Sequence, residues 1–224
     1  MSVEYSVVYS KRKTMSITVE RDRSVVVRAP IGTSTDQIDQ LVQKKGFWIY
    51  DKTKHKQKYS PEGTEKEFVA GASIPYLGTD YRLDVSRQSF DGIRFDEKFE
   101  ISRKSARRAS EVFKEWYVQE AQKLILPLVK EYATKLGADY RSVKIADLKY
   151  RWGSCTPKNN LNFNWRLIKA PIRVIEYIIV HELAHLLEAN HTERFWQMVK
   201  TQIPDYIRAK EWLKENGQIL EQQP

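Results

Sequence analysis

His181-Glu182-Leu183-Ala184-His185 reads H-E-x-x-H, and a third histidine, His191, follows six residues after His185. The chain has only four histidines, so most of them crowd into this one stretch. Residues four apart share one face of a helix, so His181 and His185 can grip one metal ion together. Glu182 lies about 100° further round the helix. There its carboxylate stands beside the metal, not on it, where it can take a proton from water. Zinc with about three protein ligands keeps one position open for chemistry, and His191 is the third ligand the spacing offers. Glu188 is the rival, since it shares the helical face of His181. A carboxylate on the same helix turn as both histidines has trouble completing a tetrahedral site. That favours His191 and leaves Glu188 a supporting place around the metal.

The elements that must carry these groups are legible around them. Pro171 fits the first turn of a helix. Ile175, Ile178, Ile179, Leu183, Leu186 and Leu187 make that helix apolar enough to be buried against a sheet. An unbroken helix would leave His191 about 120° off the face of His185, so the chain must turn first. Asn190 can take the left-handed conformation that ends a helix. Thr192 can then cap a following helix whose Phe195, Trp196 and Val199 pack inward.

Upstream, 143–152 reads as a strand, 153–160 as a loop and 161–168 as a neighbouring strand. In the second strand Leu161, Phe163, Trp165 and Leu167 point one way, and Asn162, Asn164 and Arg166 the other. A strand with such a polar face suits the rim of a cleft and could bind an extended substrate by strand addition. Asn162, Asn164 and Arg166, with Arg151, are therefore the candidate substrate-binding residues. The arginines suit a carboxylate or a phosphate. Cys155 has no second cysteine and no triad partner, and reads as an inert packing group. His55, in a lysine-rich stretch, reads as a surface residue.

The first hundred residues look β-rich. Val3, Tyr5, Val7 and Tyr9 alternate, and Ile17, Val19 and the run 25–27 continue the pattern. Ser34 or Thr35 can cap a helix with Ile38, Leu41, Val42, Trp48 and Ile49 on its apolar positions. Further strands are expected over 73–77, 81–85 and 93–101, with turns at Gly78 and Asp91-Gly92. From Ala109 the helical spacing of Val112, Phe113, Trp116, Ala121 and Leu124 begins a long helix. Pro127 is expected to kink or split it, and Gly137 to end it. The class is α+β, with a β-rich region over 1–103 and a helical region over 104–224. Nothing linker-like separates the two, so they can share one core.

Composition bounds the setting. The 224 residues are 41% hydrophobic and 12% aromatic, which excludes a disordered chain. A single cysteine excludes an intrachain disulfide. No signal-peptide core opens the chain and no apolar run is long enough to span a bilayer, so a cytoplasmic protein without membrane contact is expected. The net charge of +9 attracts anions, nucleic acid and nucleotides among them. No nucleic-acid motif accompanies that charge, which makes it weak evidence for such a partner.

The runs Tyr150-Arg151-Trp152-Gly153-Ser154-Cys155, Leu161-Asn162-Phe163-Asn164-Trp165-Arg166-Leu167-Ile168 and Val180-His181-Glu182-Leu183-Ala184-His185, with Asn190-His191 and Phe195-Trp196, resemble the YgjP-like metal-dependent hydrolases. These are zincin relatives similar to SprT-type metallopeptidases. The resemblance is densest over 143–200. It implies a zincin-like catalytic core, in which an active-site helix packs on a small sheet. It also implies Zn2+ on His181, His185 and His191, with Glu182 as catalytic acid/base. The histidine spacing also matches metzincins, but Glu188 occupies their glycine position. A zinc metallopeptidase is the leading expectation. Some members of the resembled family are associated with UTP hydrolysis, so a nucleotide pyrophosphatase is the alternative. A binding protein with a purely structural metal fits less well, because structural zinc sites are closed by four protein ligands.

Overall fold

The computed structural model describes residues 4–19, 24–54, 68–148 and 151–221. Tyr150, His55 and most of the lysine-rich stretch around it lie outside the described residues. The chain forms two compact units, 1–63 and 64–224.

In the first unit, strands β1 (Ser6–Ser10), β2 (Ser16–Val19) and β3 (Val25–Pro30) form a sheet in the order β1-β3-β2. β1 runs parallel to β3 and β2 antiparallel to it. Helix α1 (Thr35–Lys44) starts at Ser34, whose side chain accepts from Gln37 N–H while the Gln37 side chain accepts from Ser34 N–H. The single helix expected here is two, because α1 stops at Lys45 and α2 (Gly46–Lys54) follows. Ile38, Val42 and Ile49 pack with Val25, Val27 and Ala29 in a small separate core.

The second unit opens with β4 (Ser73–Tyr76), β5 (Thr79–Ser86), β6 (Ile93–Asp96) and β7 (Lys98–Ser102), in the order β4-β5-β7-β6. The strand expected over 93–101 is broken into β6 and β7, which pair antiparallel around Glu97 at φ +56°. A short helical turn, α3 (Arg103–Ala106), leads to α4 (Ala109–Leu136). α4 runs through Pro127 as one helix. Pro127 and Lys123 are both exposed, so the Lys123 carbonyl that loses its helical partner can meet water. Gly137, at φ +63°, ends the helix as expected.

No boundary falls near residue 103. Leu83, Phe99 and Ile101 of the four-stranded sheet share one buried cluster with Phe113 and Tyr117 of α4 and with Ile175 and Ile179 further on. Sheet and helices therefore share one core.

The rest of this unit builds the site. Strands β8 (Ser142–Ala146), β9 (Gly153–Cys155) and β10 (Asn160–Asn164) form a sheet in the order β8-β10-β9. A 3-10 turn (Trp165–Lys169) leads to α5 (Ile172–Leu187), then α6 (Glu193–Gln202) and α7 (Tyr206–Glu221). The α+β class and the helix packed on a small sheet are both present. The β4–β5 hairpin tip fixes the start of α5. Leu77 and Gly78 donate their N–H groups to the carbonyls of Ile168 and Lys169. Gly78 sits at φ +81°, and a Cβ there would lie 2.6 Å from Pro171 Cγ, so only glycine allows this approach. No helix among the described residues is long and apolar enough to cross a membrane.

Candidate metal centre

α5 buries Ile175, Ile179, Val180, Leu183 and Ala184 and turns His181 and His185 toward a half-open face. Burying each such large aliphatic side chain contributes roughly 1.5–3 kcal/mol, so packing sets the rotation of the helix and the histidines follow. His191 joins them because the helix stops. Leu187 is its last residue, and Glu188 is extended at φ −143°, ψ 107°. Asn190 is not left-handed, contrary to expectation. The break comes earlier, at Glu188, and a turn closed by the Thr192 N–H on the Asn190 carbonyl (2.8 Å) brings His191 back. Thr192 caps α6 as expected, accepting from Phe195 N–H.

The ligand atoms of His181, His185 and His191 lie within 4.8 Å of one another. His181 Nε2 and His191 Nε2 face each other at 3.1 Å. Two nitrogens sharing a tetrahedral zinc lie about 3.3 Å apart, given bonds of about 2.0–2.1 Å, so the spacing suits one ion. His185 Nδ1 stands 3.3 Å from the Glu188 carbonyl. That partner is an acceptor, so Nδ1 carries the proton and the Nε2 lone pair is left for a metal. Glu188 thus acts through its main chain, and its carboxylate is outside the cluster. His181 Nδ1 is buried and has no hydrogen-bond partner among the described residues. Burial, then the neighbouring His185, His191 and Lys210, holds the His181 ring down at about 3. It is neutral at neutral pH and available as a donor. Three converging imidazole nitrogens fit a divalent transition metal such as zinc.

Aromatic rings lock the triad. Phe195 is fully buried and its ring centre lies 5.0, 4.7 and 4.7 Å from those of His181, His185 and His191. Trp196 stacks on His191 at 5.5 Å, and Tyr206 stacks on Trp196 at 5.3 Å.

Glu182 is 7% exposed. Burial pushes its carboxyl up to about 7, against a main-chain hydrogen bond from Cys155 and the charge of Arg151. It lies in a cradle made by Gly153, where a Cβ would fall 2.6 Å from Glu182 Cγ and 2.8 Å from Oε1. Neither Gly153 nor the Cys155 main chain stood out as a candidate. A glycine next to the conspicuous Trp152 was the available signal. The Cys155 thiol is raised by burial and by Glu182, so it stays protonated and unreactive.

The strand expected at the cleft rim is the central one. β10 pairs with β8 on one side and β9 on the other, so it has no free edge. β9, expected as loop, is an edge strand, as is β8. Hydrogen bonds link Asn164 to Trp152 and Thr156 to Asn160, with Asn162 opposite Ser154 between them. The main-chain groups of Gly153 and Cys155 therefore point away from β10, and Cys155 offers a main-chain hydrogen bond to Glu182.

The four substrate-binding candidates part company. Arg151 is exposed and close enough to lower the Glu182 carboxyl. Asn162 donates to the Ser154 hydroxyl at 3.2 Å. Asn164 is fully buried. It donates to the Leu148 and Arg151 carbonyls and accepts from Arg166 N–H, which switches the chain from strand to 3-10 turn. It holds the strand end inside the core. Arg166 is bonded to Asp147 and lies over Trp165, so it too is a structural group.

Burial alone would raise the Asp147 carboxyl, but Lys114 and Arg166 hold it down at about 2. A depressed carboxyl stabilises the fold above its unfolded value near 3.8 and loses that contribution as pH falls toward 2. Asp147 is 44% exposed, so solvent screening limits the effect to about 1 kcal/mol. Asp147→Asn should lose about that much in denaturant melts at pH 7, with the deficit shrinking between about pH 4 and 2. A constant deficit across that range would show that the pair is not what the mutation removes.

The family model described as "YgjP-like, metallopeptidase domain" matches residues 13–216. No curated protein matches the chain significantly. Solved structures that resemble part of it include two metallopeptidase zymogens. The crystal structure of the metallopeptidase zymogen of Pyrococcus abyssi abylysin is 24% identical, with a TM-score of 0.39, over 44% of this chain and 97% of that one. The zymogen of Methanocaldococcus jannaschii jannalysin is 24% identical, with a TM-score of 0.34, over 40% and 95%.

Proposed function

The chain belongs to the YgjP-like metallopeptidase family, a family of metal-dependent hydrolases, and on that premise we propose that it is a zinc-dependent peptidase using Glu182 as its acid/base. His181, His185 and His191 would hold the ion through their ring nitrogens. When bound, zinc supplies Lewis acidity that polarises a carbonyl and acidifies water. The observation that carries the reading is the place of Glu182, next to His181 on α5 and packed against Gly153 and Cys155 of β9. Its carboxylate oxygen takes a proton from the attacking water and delivers it to the leaving amine. Cys155 N–H and the Gly153 cradle hold that oxygen in place. The remaining outward main-chain groups of Gly153 and Cys155 can align an extended peptide as an added strand.

Gly153→Ala tests the cradle. The added methyl displaces Glu182, and small misplacements of a reacting group are costly, so turnover should fall about tenfold or more while zinc content is kept. Unchanged turnover would mean that the Glu182 position does not depend on Gly153.

UTP hydrolysis is the second reading, and Arg151 beside Glu182 is what favours it, since phosphate needs cations. The experiment is a panel of peptides and nucleotides offered to zinc-loaded protein, with Glu182→Gln as blank. The peptidase reading expects peptide cleavage, with Arg151→Ala changing rates only modestly for uncharged peptides. UTP hydrolysis lost by roughly 2 kcal/mol or more in Arg151→Ala, with no peptide cleaved, would reverse the order.

A further inference from the structure

Resting on the reading of the three histidines as a metal centre, we propose that Tyr206 is a positioning residue for the ion. Its ring, stacked on two others, sets where His191 stands relative to His181 and so governs how tightly the metal is kept. His191 is the one ligand of the three that lies off α5. It sits in the turn between α5 and α6 and is exposed, so helix geometry does not place it. A ligating histidine is ordinarily oriented by a hydrogen bond on its second ring nitrogen. His185 has such an acceptor in the Glu188 carbonyl. Among the described residues His181 Nδ1 has none, and the side chains packed on His181 and His191 are rings.

Those rings close a circuit. Trp196 stacks on His191 with centres 5.5 Å apart, and Tyr206 stacks on Trp196 at 5.3 Å. Tyr206 also stacks on Tyr177 at 6.2 Å, and Tyr177 meets His181 edge-on at 5.8 Å. The centres of His181 and His191 are 4.9 Å apart, which closes the loop. Tyr177 and His181 are four residues apart on α5, so the helix fixes that side. The Trp196 side has no such support, and Tyr206 is the ring that joins it to α5. Tyr206 is itself anchored. Its N–H donates to the Ile203 carbonyl at 3.0 Å, and the preceding Asp205 is paired with Arg173 in the first turn of α5. Without the Tyr206 ring, Trp196 loses its backing and His191 can swing away from His181. The ligand set keeps its chemistry and loses its preorganisation. Phe195 packs on all three histidines too, but it is fully buried in the core, so its loss would damage the fold as well.

The test is zinc affinity of the full chain, measured by competition with a chromophoric chelator and with no substrate present. The thermal melt of metal-free protein is recorded alongside. Tyr206→Leu, which keeps apolar bulk and removes the ring, should weaken zinc binding about tenfold, the scale for losing a group that orients a ligand. Tyr206→Phe keeps the ring and should stay within about twofold. The decisive comparison is made in a His191→Ala background, where Tyr206→Leu should cost nothing further, because the ring acts through His191. A role in the fold alone would lower the metal-free melt and carry the same factor into both backgrounds. Unchanged affinity in Tyr206→Leu, or an equal loss with and without His191, overturns the positioning role and leaves the three-histidine centre intact. A loss in Tyr206→Phe as large as in Tyr206→Leu does the same, since the ring is then not what matters. Failure of the unmutated chain to bind zinc overturns the centre and the positioning role together.

Discussion

Glu182→Gln is expected to keep zinc and fold while peptide hydrolysis falls at least about a hundredfold, the lower end for general-base catalysis. The amide oxygen of glutamine can still accept from Cys155 N–H, and the side chain has the volume that Gly153 leaves for it. What disappears is the ability to take and return a proton. Burial already disfavours the charge at this position, so the neutral amide should not destabilise the fold and can raise its melting temperature slightly. Metal analysis, a thermal melt and a rate measurement on one preparation check all three parts. Near-normal turnover by this variant would remove Glu182 from the mechanism.

Loss of a histidine is expected to act on the metal itself. His181→Ala and His185→Ala should abolish stoichiometric zinc binding, and His191→Ala should weaken it by at least about a hundredfold, because the ion then lacks its third protein ligand. Glu188→Ala should stay within about threefold. The Glu188 carbonyl that faces His185 Nδ1 belongs to the main chain and survives the substitution. Competition with a chromophoric chelator measures each affinity. If Glu188→Ala strips the metal and His191→Ala does not, the assignment of the third ligand is reversed.

The metal cluster could be read from residue types alone, because histidine is scarce in this chain and a four-residue repeat on an apolar helix admits few geometries. The way His191 returns was less legible. Asn190 has the conformational tolerance for a left-handed stop, but Glu188 in an extended conformation ends the helix first, and no local propensity marks that. The rim strand was misplaced because alternation records which face is apolar, not which neighbours a strand has. Leu161 and Phe163 are buried as the pattern implied, yet their strand is central and β8 and the three-residue β9 are the edges. Asn164 looked like a ligand-facing polar residue because an asparagine that caps a turn and one that binds a ligand read alike. The β4–β5 hairpin was visible through Gly78, but its docking on Pro171 is a contact between distant segments.

The most direct measurement follows peptide cleavage as metal-free protein is titrated with zinc, using a mass-spectrometric peptide library as substrate. The three-histidine centre and Glu182 together require activity that rises in proportion to zinc, reaches its plateau at one equivalent per chain, and is absent from Glu182→Gln at the same zinc content. Cleavage that persists without metal, or that Glu182→Gln retains at full zinc occupancy, would contradict the account.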